Sequence, residues 1–358
     1  MFMDKQQLLS EADRWLTEGP YTVTTKPKTP PSGNKHDYMS MGPYWWPNPD
    51  TPDGLPYIRK DGYRNPERDL YEDRGNLGKL GSAVETLGLA YYFTKDEKYA
   101  KHAAKLLKVW FLDKETLMNP HLNYGQCIPG ITDGRAAGLI ETVAFIGLLD
   151  GVRLLEGSQS WTKTDNDALK LWFADFFEWL QTSKIGTDER NASNNHGTWY
   201  DAQSIAMATY LGKNDVAVQI ASEKSVSRLK SQIKPDGSQP HELSRADSWG
   251  YSTMNLRGFF TLATLAGNVG VDLWNVTNED GKPYMKIALE FLIPTFEDST
   301  QWKHSQVSNR FDRSTVFNLL QRASVAYNEP SYAVLAQKYP LSERPNSRNK
   351  LLWPTVSR

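Results

Sequence analysis

The sequence predicts an all-α protein, a helical toroid or bundle assembled from successive antiparallel helical hairpins. From Asn76 onward, apolar residues recur at helical spacing, and several breaks between these segments carry Gly, Pro, Asn or Asp. Alternating strand patterns are scarce, and only residues 21–25 favour a short strand. We expect helices at 8–16, 76–94, 96–111, 134–156, 165–183, 198–211, 214–232, 251–267, 283–293, 313–327 and 330–338.

One domain is expected to span residues 1–358, because no linker separates two parts of the chain. Residues 20–73 lack helical periodicity and combine many prolines with a dense group of aromatic residues. A stretch of this length without regular structure is usually functional or disordered, and the aromatic residues argue against disorder. We therefore interpret 20–73 as an extended, ordered loop that covers one end of a cleft.

The composition is that of a globular protein without a strong preference for either charge. The 358 residues carry a formal net charge of −1, and the mean hydropathy is −0.58. No global field favours nucleic acid, and no apolar run approaches the roughly 20 residues of a membrane span. The 12 Trp and 17 Tyr suit a carbohydrate cleft, although a Trp-rich core accounts for any single Trp equally well. With Cys127 as the single cysteine, a disulfide and a cysteine-based metal cluster are both excluded within the chain.

Two polar and aromatic clusters stand where predicted helices begin, about fifty residues apart. The first, residues 194–201, reads NNHGTWYD, and His196 is its one side chain that titrates near neutral pH. The second, residues 242–251, reads ELSRADSWGY and contains Arg245 and Tyr251. Unsatisfied N–H groups and the helix dipole favour an anion at such helix starts. The two clusters therefore predict one shared binding cleft.

Four side chains of these clusters supply the groups that β-elimination from a 4-O-linked uronate requires. Asn195 and Arg245 would neutralise the carboxylate, where negative charge grows when the C5 proton leaves. His196 and Tyr251 would move protons, with Arg245 favouring the phenolate of Tyr251. No metal or cofactor is needed, and the sequence lacks HExxH, EF-hand, P-loop and GxGxxG motifs. Alternatively, His196 is a structural histidine and Arg245 pairs with Glu242 or Asp247.

The order and spacing of several motifs resemble the alginate lyases of the (α/α)-toroid class, polysaccharide lyase families 5 and 38. These motifs are Asn194-Asn195-His196 followed by Trp199, and Glu242-Leu-Ser-Arg245 followed by Tyr251. The loop from Lys35 through the PYWWPNP run at 43–49 to Asn65-Pro66-Glu67 also resembles that superfamily. The similarity is closest to family 38 and extends from about residue 34 to about residue 325.

The resemblance implies an (α/α) toroid, an incomplete barrel of antiparallel helical hairpins, with a long N-terminal lid loop. It implies that Asn195 and Arg245 neutralise the substrate carboxylate and that Tyr251 is the acid for O4. His196 would be the base for guluronate, whose H5 lies opposite O4, whereas Tyr251 would serve as base and acid for mannuronate or glucuronate. Further candidate substrate contacts are Lys35, His36, Tyr38, Tyr44, Gln126, Arg135, Asn194 and Trp249. The substrate would be an anionic polysaccharide, alginate in the first place, and the location the periplasm or the exterior.

Three other functions stay open at this stage. A glucuronan or other uronan lyase would use the same four groups. A glycoside hydrolase on a helical toroid would need two carboxylates, about 6.5–9.5 Å apart if it inverts. Candidates for this pair are Asp188, Glu189, Glu242 and Asp247. A non-catalytic sugar-binding protein would keep the aromatic residues without turnover. The preferred uronate, endo or exo action and the oligomeric state are not readable from the sequence.

Overall fold

Helices dominate the computed structural model, which describes residues 2–307, 311 and 313–338. The α-helices are α1 (Phe2–Trp15), α2 (Glu72–Thr94), α3 (Glu97–Phe111), α4 (Ala144–Leu154), α5 (Lys163–Thr182), α6 (Lys184–Arg190), α7 (Asn195–Tyr210), α8 (Asn214–Gln219), α9 (Val226–Gln232), α10 (Pro240–Leu243), α11 (Ser248–Gly267), α12 (Tyr284–Leu292), α13 (Pro294–Glu297), α14 (Arg313–Ala326) and α15 (Pro330–Gln337). The strands are β1 (Met39–Met41), β2 (Trp45–Trp46), β3 (Ile58–Arg59) and β4 (Tyr124–Cys127). Strand β1 pairs with β4 in parallel, and β2 pairs with β3 in an antiparallel manner.

Each long helix predicted from periodicity forms, but two of them are interrupted. The predicted helix at 134–156 is a 3₁₀-helix, Ala136–Val143, followed by α4. The predicted helix at 214–232 contains a π-helical turn, Ile220–Ser225, between α8 and α9. Apolar residues spaced three to four apart occur in 3₁₀-, α- and π-helices alike. The sequence therefore indicates a helix but not which of these types it forms.

The strand predicted at 21–25 is wrong, because this segment forms turns. Tyr21 and Val23 are buried in alternation, as a strand pattern requires. However, the Thr22 hydroxyl accepts the backbone N–H of Thr24 and donates to the carbonyl of Thr116. Such local bonds between side chain and backbone compete with ladder pairing. The short strands of 20–73 form instead at β1, β2 and β3, within the region predicted as an extended loop.

The chain divides into two compact units by the density of its internal contacts. One unit comprises Leu8–Asn191 and Ala206–Lys213, and the other comprises Ala192–Ile205 with the described residues from 214 onward and the first residues of the chain. The prediction of a single domain over 1–358 stays a prediction. None of the described helices combines the length and the apolar character that crossing a bilayer requires.

In the unit that contains residues 8–191, helices α2 and α4 pack with their backbones in contact. A Cβ on Gly88 would lie 2.6 Å from the carbonyl oxygen of Gly151, and a Cβ on Gly151 would lie 2.5 Å from that of Val84. Only glycine permits this approach. Beside the pair, Phe111, Phe145, Trp172, Phe173 and Phe176 form an aromatic core with ring centroids 4.7–5.9 Å apart.

In the other unit, helix α11 lies at the centre of the packing. It contacts α10, α12 and α14, and most of its residues from Ser252 to Ala266 are buried. Gly258 faces the indole of Trp199, to which an added Cβ would approach within 3.1 Å. The first turns of α7 therefore pack closely on α11. Both predicted polar clusters lie in this unit.

Candidate active site

Helix α7 begins at Asn195, three residues earlier than the sequence predicted, and this places His196 inside the first turn. The side chain of Asn194 accepts the backbone N–H of His196 at 3.2 Å. The backbone carbonyl of Asn194 accepts the N–H of Gly197 at 3.0 Å. Asn194 therefore caps the helix, a role for which Asn is among the preferred residues. The sequence predicted a substrate contact for Asn194, and its side-chain oxygen is already engaged in this cap.

Asn195 and Glu242 join the two polar clusters by a pair of hydrogen bonds. The backbone N–H of Asn195 donates to Glu242 Oε1 at 2.7 Å, and its side-chain Nδ2 donates to Oε2 at 2.8 Å. Both residues have an exposed fraction of 0%. The other atom of the amide, Asn195 Oδ1, is buried and has no hydrogen-bond partner. Because a buried polar atom is normally satisfied, this atom marks a position where a partner is missing.

Glu242 is a buried carboxyl close to Arg245 and His196. Burial raises the pKa of Glu242 above its usual value, since a charge is poorly solvated there. The hydrogen bonds from Asn195 and the nearby charges of Arg245 and His196 act in the opposite direction. These four residues therefore form one electrostatically connected group at the starts of α7 and α11.

Arg245 and Tyr251 form the second close pair of the site. The guanidinium carbon of Arg245 lies 3.7 Å from the centroid of the Tyr251 ring. Tyr251 occupies the first turn of α11, and Arg245 precedes that helix by three residues. In the structure these two side chains are in contact, with the cation over the ring. A cation in this position is attracted electrostatically to the face of the ring.

Arg228, which no sequence motif indicated, holds the start of α7 in place. Arg228 binds the carboxylate of Asp201 through Nε at 2.7 Å and Nη2 at 3.1 Å, and Nη1 donates to the carbonyl of Ala192 at 2.7 Å. A Cβ on Gly197 would lie 2.1 Å from Arg228 Nη1 and 2.2 Å from the Ala192 carbonyl. Gly197 thus leaves the space through which the guanidinium reaches the segment before α7.

A buried chain of amide side chains connects the start of α7 with α11. Gln232 donates to the carbonyl of Asn194 at 3.2 Å and accepts from Thr198 at 3.1 Å and from Asn255 at 2.9 Å. Asn255 also donates to Gln239 at 2.8 Å. These hydrogen bonds link the helices that carry His196 and Tyr251, while Asn255 Oδ1 is buried without a hydrogen-bond partner.

Trp249 does not offer the sugar-stacking surface that the sequence predicted. Its exposed fraction is 1%, and its indole N–H donates to Thr295 Oγ1 at 2.8 Å. Its backbone N–H donates to the side chain of Gln306. Trp249 precedes Tyr251 by two residues on α11, so the two side chains leave the helix in different directions, and that of Trp249 packs into the core. This side chain therefore stabilises α11.

The other predicted substrate contacts lie in the unit that contains residues 8–191. Tyr38 has an exposed fraction of 0% and donates to Glu141 at 2.8 Å, so its hydroxyl is engaged inside the protein. Lys35 is exposed, and its ammonium donates to the carbonyl of Lys26 at 2.9 Å. His36 is half-buried with Nδ1 2.6 Å from the carbonyl of Leu117, and Tyr44 is also half-buried.

Gln126 and Arg135, the remaining pair, contact each other. Arg135 donates to Gln126 Oε1 at 2.6 Å, and its guanidinium lies 5.9 Å from the ring centre of Trp45. Burial lowers the pKa of Arg135, and its Nε is buried without a hydrogen-bond partner. An arginine with an unused donor is a suitable partner for an anionic group.

Among residues 2–307, 311 and 313–338, no group of three or more His, Cys, Asp or Glu side chains is arranged to hold a metal ion. The sequence missed the contact between Arg228 and Asp201 that supports α7, because 27 residues separate them and Arg228 belongs to no motif. It named Glu242 without finding its partner Asn195, 47 residues away. The sequence offered one indication for Gly197. Glycine is unfavourable where a helix begins unless close packing requires it.

An all-α protein with an asparagine, an arginine, a tyrosine and a histidine at adjoining helix starts has the features of a polysaccharide lyase. The family model for alginate lyase matches residues 22–302, and the chain belongs to this family. The crystal structure of an alginate lyase from Bacteroides ovatus is 43% identical in sequence, with a TM-score of 0.92 over 98% of this chain and 93% of that chain. The (α/α)-toroid fold class predicted from the sequence is thereby confirmed.

More distant structures share the fold alone. A histidine-to-alanine variant of alginate lyase A1-III in complex with a tetrasaccharide matches with a TM-score of 0.64 and 16% identity, over 99% of this chain and 94% of that chain. Alginate lyase A1-III from Sphingomonas species A1 matches with a TM-score of 0.58 and 15% identity, over 91% and 86%. No curated protein matches the chain.

Proposed function

We propose that this polysaccharide lyase cleaves alginate by β-elimination at the site formed by Asn195, His196, Arg245 and Tyr251. The observation that carries the proposal is the stacking of Arg245 on Tyr251 beside the buried pair of Asn195 and Glu242. This arrangement combines a cation and an amide for a carboxylate with a phenol for proton transfer. Family membership supports an anionic polysaccharide as the substrate.

The reaction needs three events at one uronate. Arg245 and Asn195 hold its carboxylate, so that negative charge can develop there when the C5 proton is removed. A base takes that proton, the C4–C5 double bond forms, and the C4–O4 bond breaks. Tyr251 donates a proton to the departing O4, which becomes the hydroxyl of the released chain. The new chain end carries a 4,5-unsaturated uronate.

The identity of the base depends on the sugar. In mannuronate and glucuronate, H5 and O4 lie on one face of the ring, so Tyr251 serves as base in its phenolate form and then as acid. In guluronate, H5 lies on the opposite face, and we assign its removal to His196. Arg245 assists the first step because a cation over the ring stabilises the phenolate.

Arg135 extends the proposal beyond the reacting sugar. Its Nε has no hydrogen-bond partner inside the protein, and its Nη2 donates to Gln126 Oε1. We propose that Arg135 binds a uronate carboxylate, with Lys35 and Tyr44 as further substrate contacts. An enzyme that degrades such a polymer is expected to act in the periplasm or outside the cell.

The test is the growth of ultraviolet absorbance at the conjugated double bond during incubation with polymannuronate, polyguluronate and glucuronan. We expect absorbance with at least one alginate block and its loss in Tyr251→Phe, by about 10²–10⁴-fold in rate. The matched control is Tyr284→Phe, at the first residue of α12. Release of reducing ends without absorbance would instead identify a hydrolase, and binding without any cleavage would identify a sugar-binding protein.

A further inference from the structure

The amide of Asn195 presents its acceptor, and not its donor, at the position that lacks a partner. Nδ2 is directed to Glu242, and the oxygen Oδ1 remains buried and unpaired. A carboxylate accepts hydrogen bonds and cannot donate one. In this orientation, Asn195 Oδ1 would repel a bound carboxylate at the unpaired position. The amide would have to turn about its last bond to offer its NH₂ group there.

Glu242 prevents that turn for as long as it is ionised. A turned amide would place Oδ1 against Glu242 Oε2, at the 2.8 Å now occupied by a hydrogen bond. Two acceptors at this distance repel each other when neither carries a proton. If Oε2 is protonated, its O–H donates to Asn195 Oδ1. Glu242 Oε1 meanwhile keeps the backbone N–H of Asn195, 2.7 Å away.

The charges around Glu242 also favour protonation when an anion binds. The titratable and charged groups near its carboxyl are Arg245 on its own segment and His196 on α7, with Tyr251 of α11 in contact with Arg245. Arg245 provides one permanent positive charge. Binding of a uronate brings a second carboxylate to this arginine, and two nearby carboxylates with little water favour uptake of one proton.

On the basis of the proposed function, we propose that Glu242 takes up a proton when the substrate carboxylate binds. The protonated Glu242 allows the Asn195 amide to turn, so that its NH₂ group faces the substrate. The proton comes from solvent, and no covalent bond other than the O–H changes. After the turn, Asn195 Oδ1 accepts the proton of Glu242 in a hydrogen bond, and Asn195 Nδ2 donates to the substrate carboxylate. The charge of Arg245 is then no longer shared with Glu242. Glu242 is thus a positioning residue, which acts on the substrate through Asn195.

The experiment is calorimetric titration of a tetramannuronate into Tyr251→Phe, which binds without turnover. Titrations in two buffers of different ionisation enthalpy give the number of protons taken up. We expect up to about one proton per tetrasaccharide, and a Kd that rises by up to about tenfold per pH unit above the pKa of free Glu242. With Glu242→Gln added, the side-chain NH₂ of residue 242 donates to Asn195 Oδ1 at every pH. Proton uptake and the pH dependence of Kd should then both disappear.

His196 is the second group that could take up the proton, so the control is His196→Gln in the Tyr251→Phe background. Uptake that persists in His196→Gln and vanishes in Glu242→Gln supports the proposal. Uptake that vanishes in His196→Gln, or is absent with both residues present, overturns it. If Glu242→Gln does not fold, persistence of uptake in the His196→Gln protein decides the question. Failure of the wild-type protein to produce the unsaturated product would overturn the proposed function itself, a separate result.

Discussion

The guanidinium of Arg245 lies over the ring of Tyr251, with its central carbon 3.7 Å from the ring centroid. Arg245 precedes α11, Tyr251 lies in its first turn, and six positions separate them. In the proposed mechanism, a cation in this place stabilises the phenolate through the ring. One arginine can therefore favour the base form of Tyr251 and attract the carboxylate of the sugar.

Arg245→Lys tests whether the planar guanidinium is needed in addition to its charge. Lysine keeps the positive charge but loses the flat group that stacks on a ring and binds a carboxylate with two donors. We expect kcat on the preferred alginate block to fall by about tenfold or more, since a desolvated cation–π contact contributes up to about 2 kcal/mol. The pH at which kcat reaches half its maximum should move upward, because the phenolate becomes harder to form.

The control Arg257→Lys, at an exposed position of α11, should leave kcat and this pH unchanged. An unaltered pH profile in Arg245→Lys would show that the stack does not tune Tyr251.

His196→Ala is expected to separate the two sugars of alginate. If His196 removes H5 only from guluronate, its loss should reduce the rate on polyguluronate by about 10²–10⁴-fold, the usual contribution of a general base. The rate on polymannuronate should change much less, because Tyr251 supplies both proton transfers there. Initial rates of absorbance growth on the two block polymers measure the ratio. Equal losses would assign His196 a shared role, such as orienting the sugar.

The sequence indicates candidate chemical groups for the site but could not predict what holds them. Asn195, His196, Arg245 and Tyr251 are recognisable because short motifs at helix starts carry them. Their supports are dispersed: Glu242 meets Asn195 from 47 positions away, and Arg228 meets Asp201 from 27 positions away. Local periodicity has no information about such contacts, since only tertiary packing creates them. For the same reason, burial of Trp249 could not be distinguished from exposure, as either face of α11 accepts an aromatic residue.

Gly197→Ala should damage the site without removing any of its functional groups. The added Cβ would lie 2.2 Å from the carbonyl of Ala192, a backbone atom, and 2.1 Å from Arg228 Nη1. Relief of this overlap shifts the first turn of α7 at a cost of about 1–3 kcal/mol in the free energy of unfolding. We expect kcat to fall by about tenfold to hundredfold, because small displacements of reacting groups are costly. Urea denaturation and initial rates measure the two effects.

The matched control for Gly197→Ala is Gly267→Ala at the end of α11, where an added Cβ meets nothing within 4 Å. That change should leave kcat unaltered and stabilise the protein by about 0.4–1 kcal/mol. Normal activity in Gly197→Ala, with a folded protein, would contradict the role assigned to the contact between Arg228 and the start of α7.

Asp73→Asn should loosen residues 20–73, the region predicted as a lid. Lys26 and Asp73 form a buried ion pair at 3.0 Å, and Asp73 also accepts the backbone N–H of Met39 at 2.9 Å. The ammonium of Lys26 donates in turn to the carbonyls of Val23 and Lys35, so one pair fixes three points of the loop on the first turn of α2.

Burial lowers the pKa of Lys26, and the carboxylate of Asp73 is the largest opposing influence. Removal of that charge deprives the buried cation of its ion-pair partner, which typically costs about 3–5 kcal/mol. We expect a lower midpoint in urea and faster proteolysis between residues 20 and 73, whereas Asp69→Asn, at an exposed carboxylate close in sequence, should change stability by less than about 1 kcal/mol. Equal effects of the two substitutions would show that the buried pair does not hold the loop.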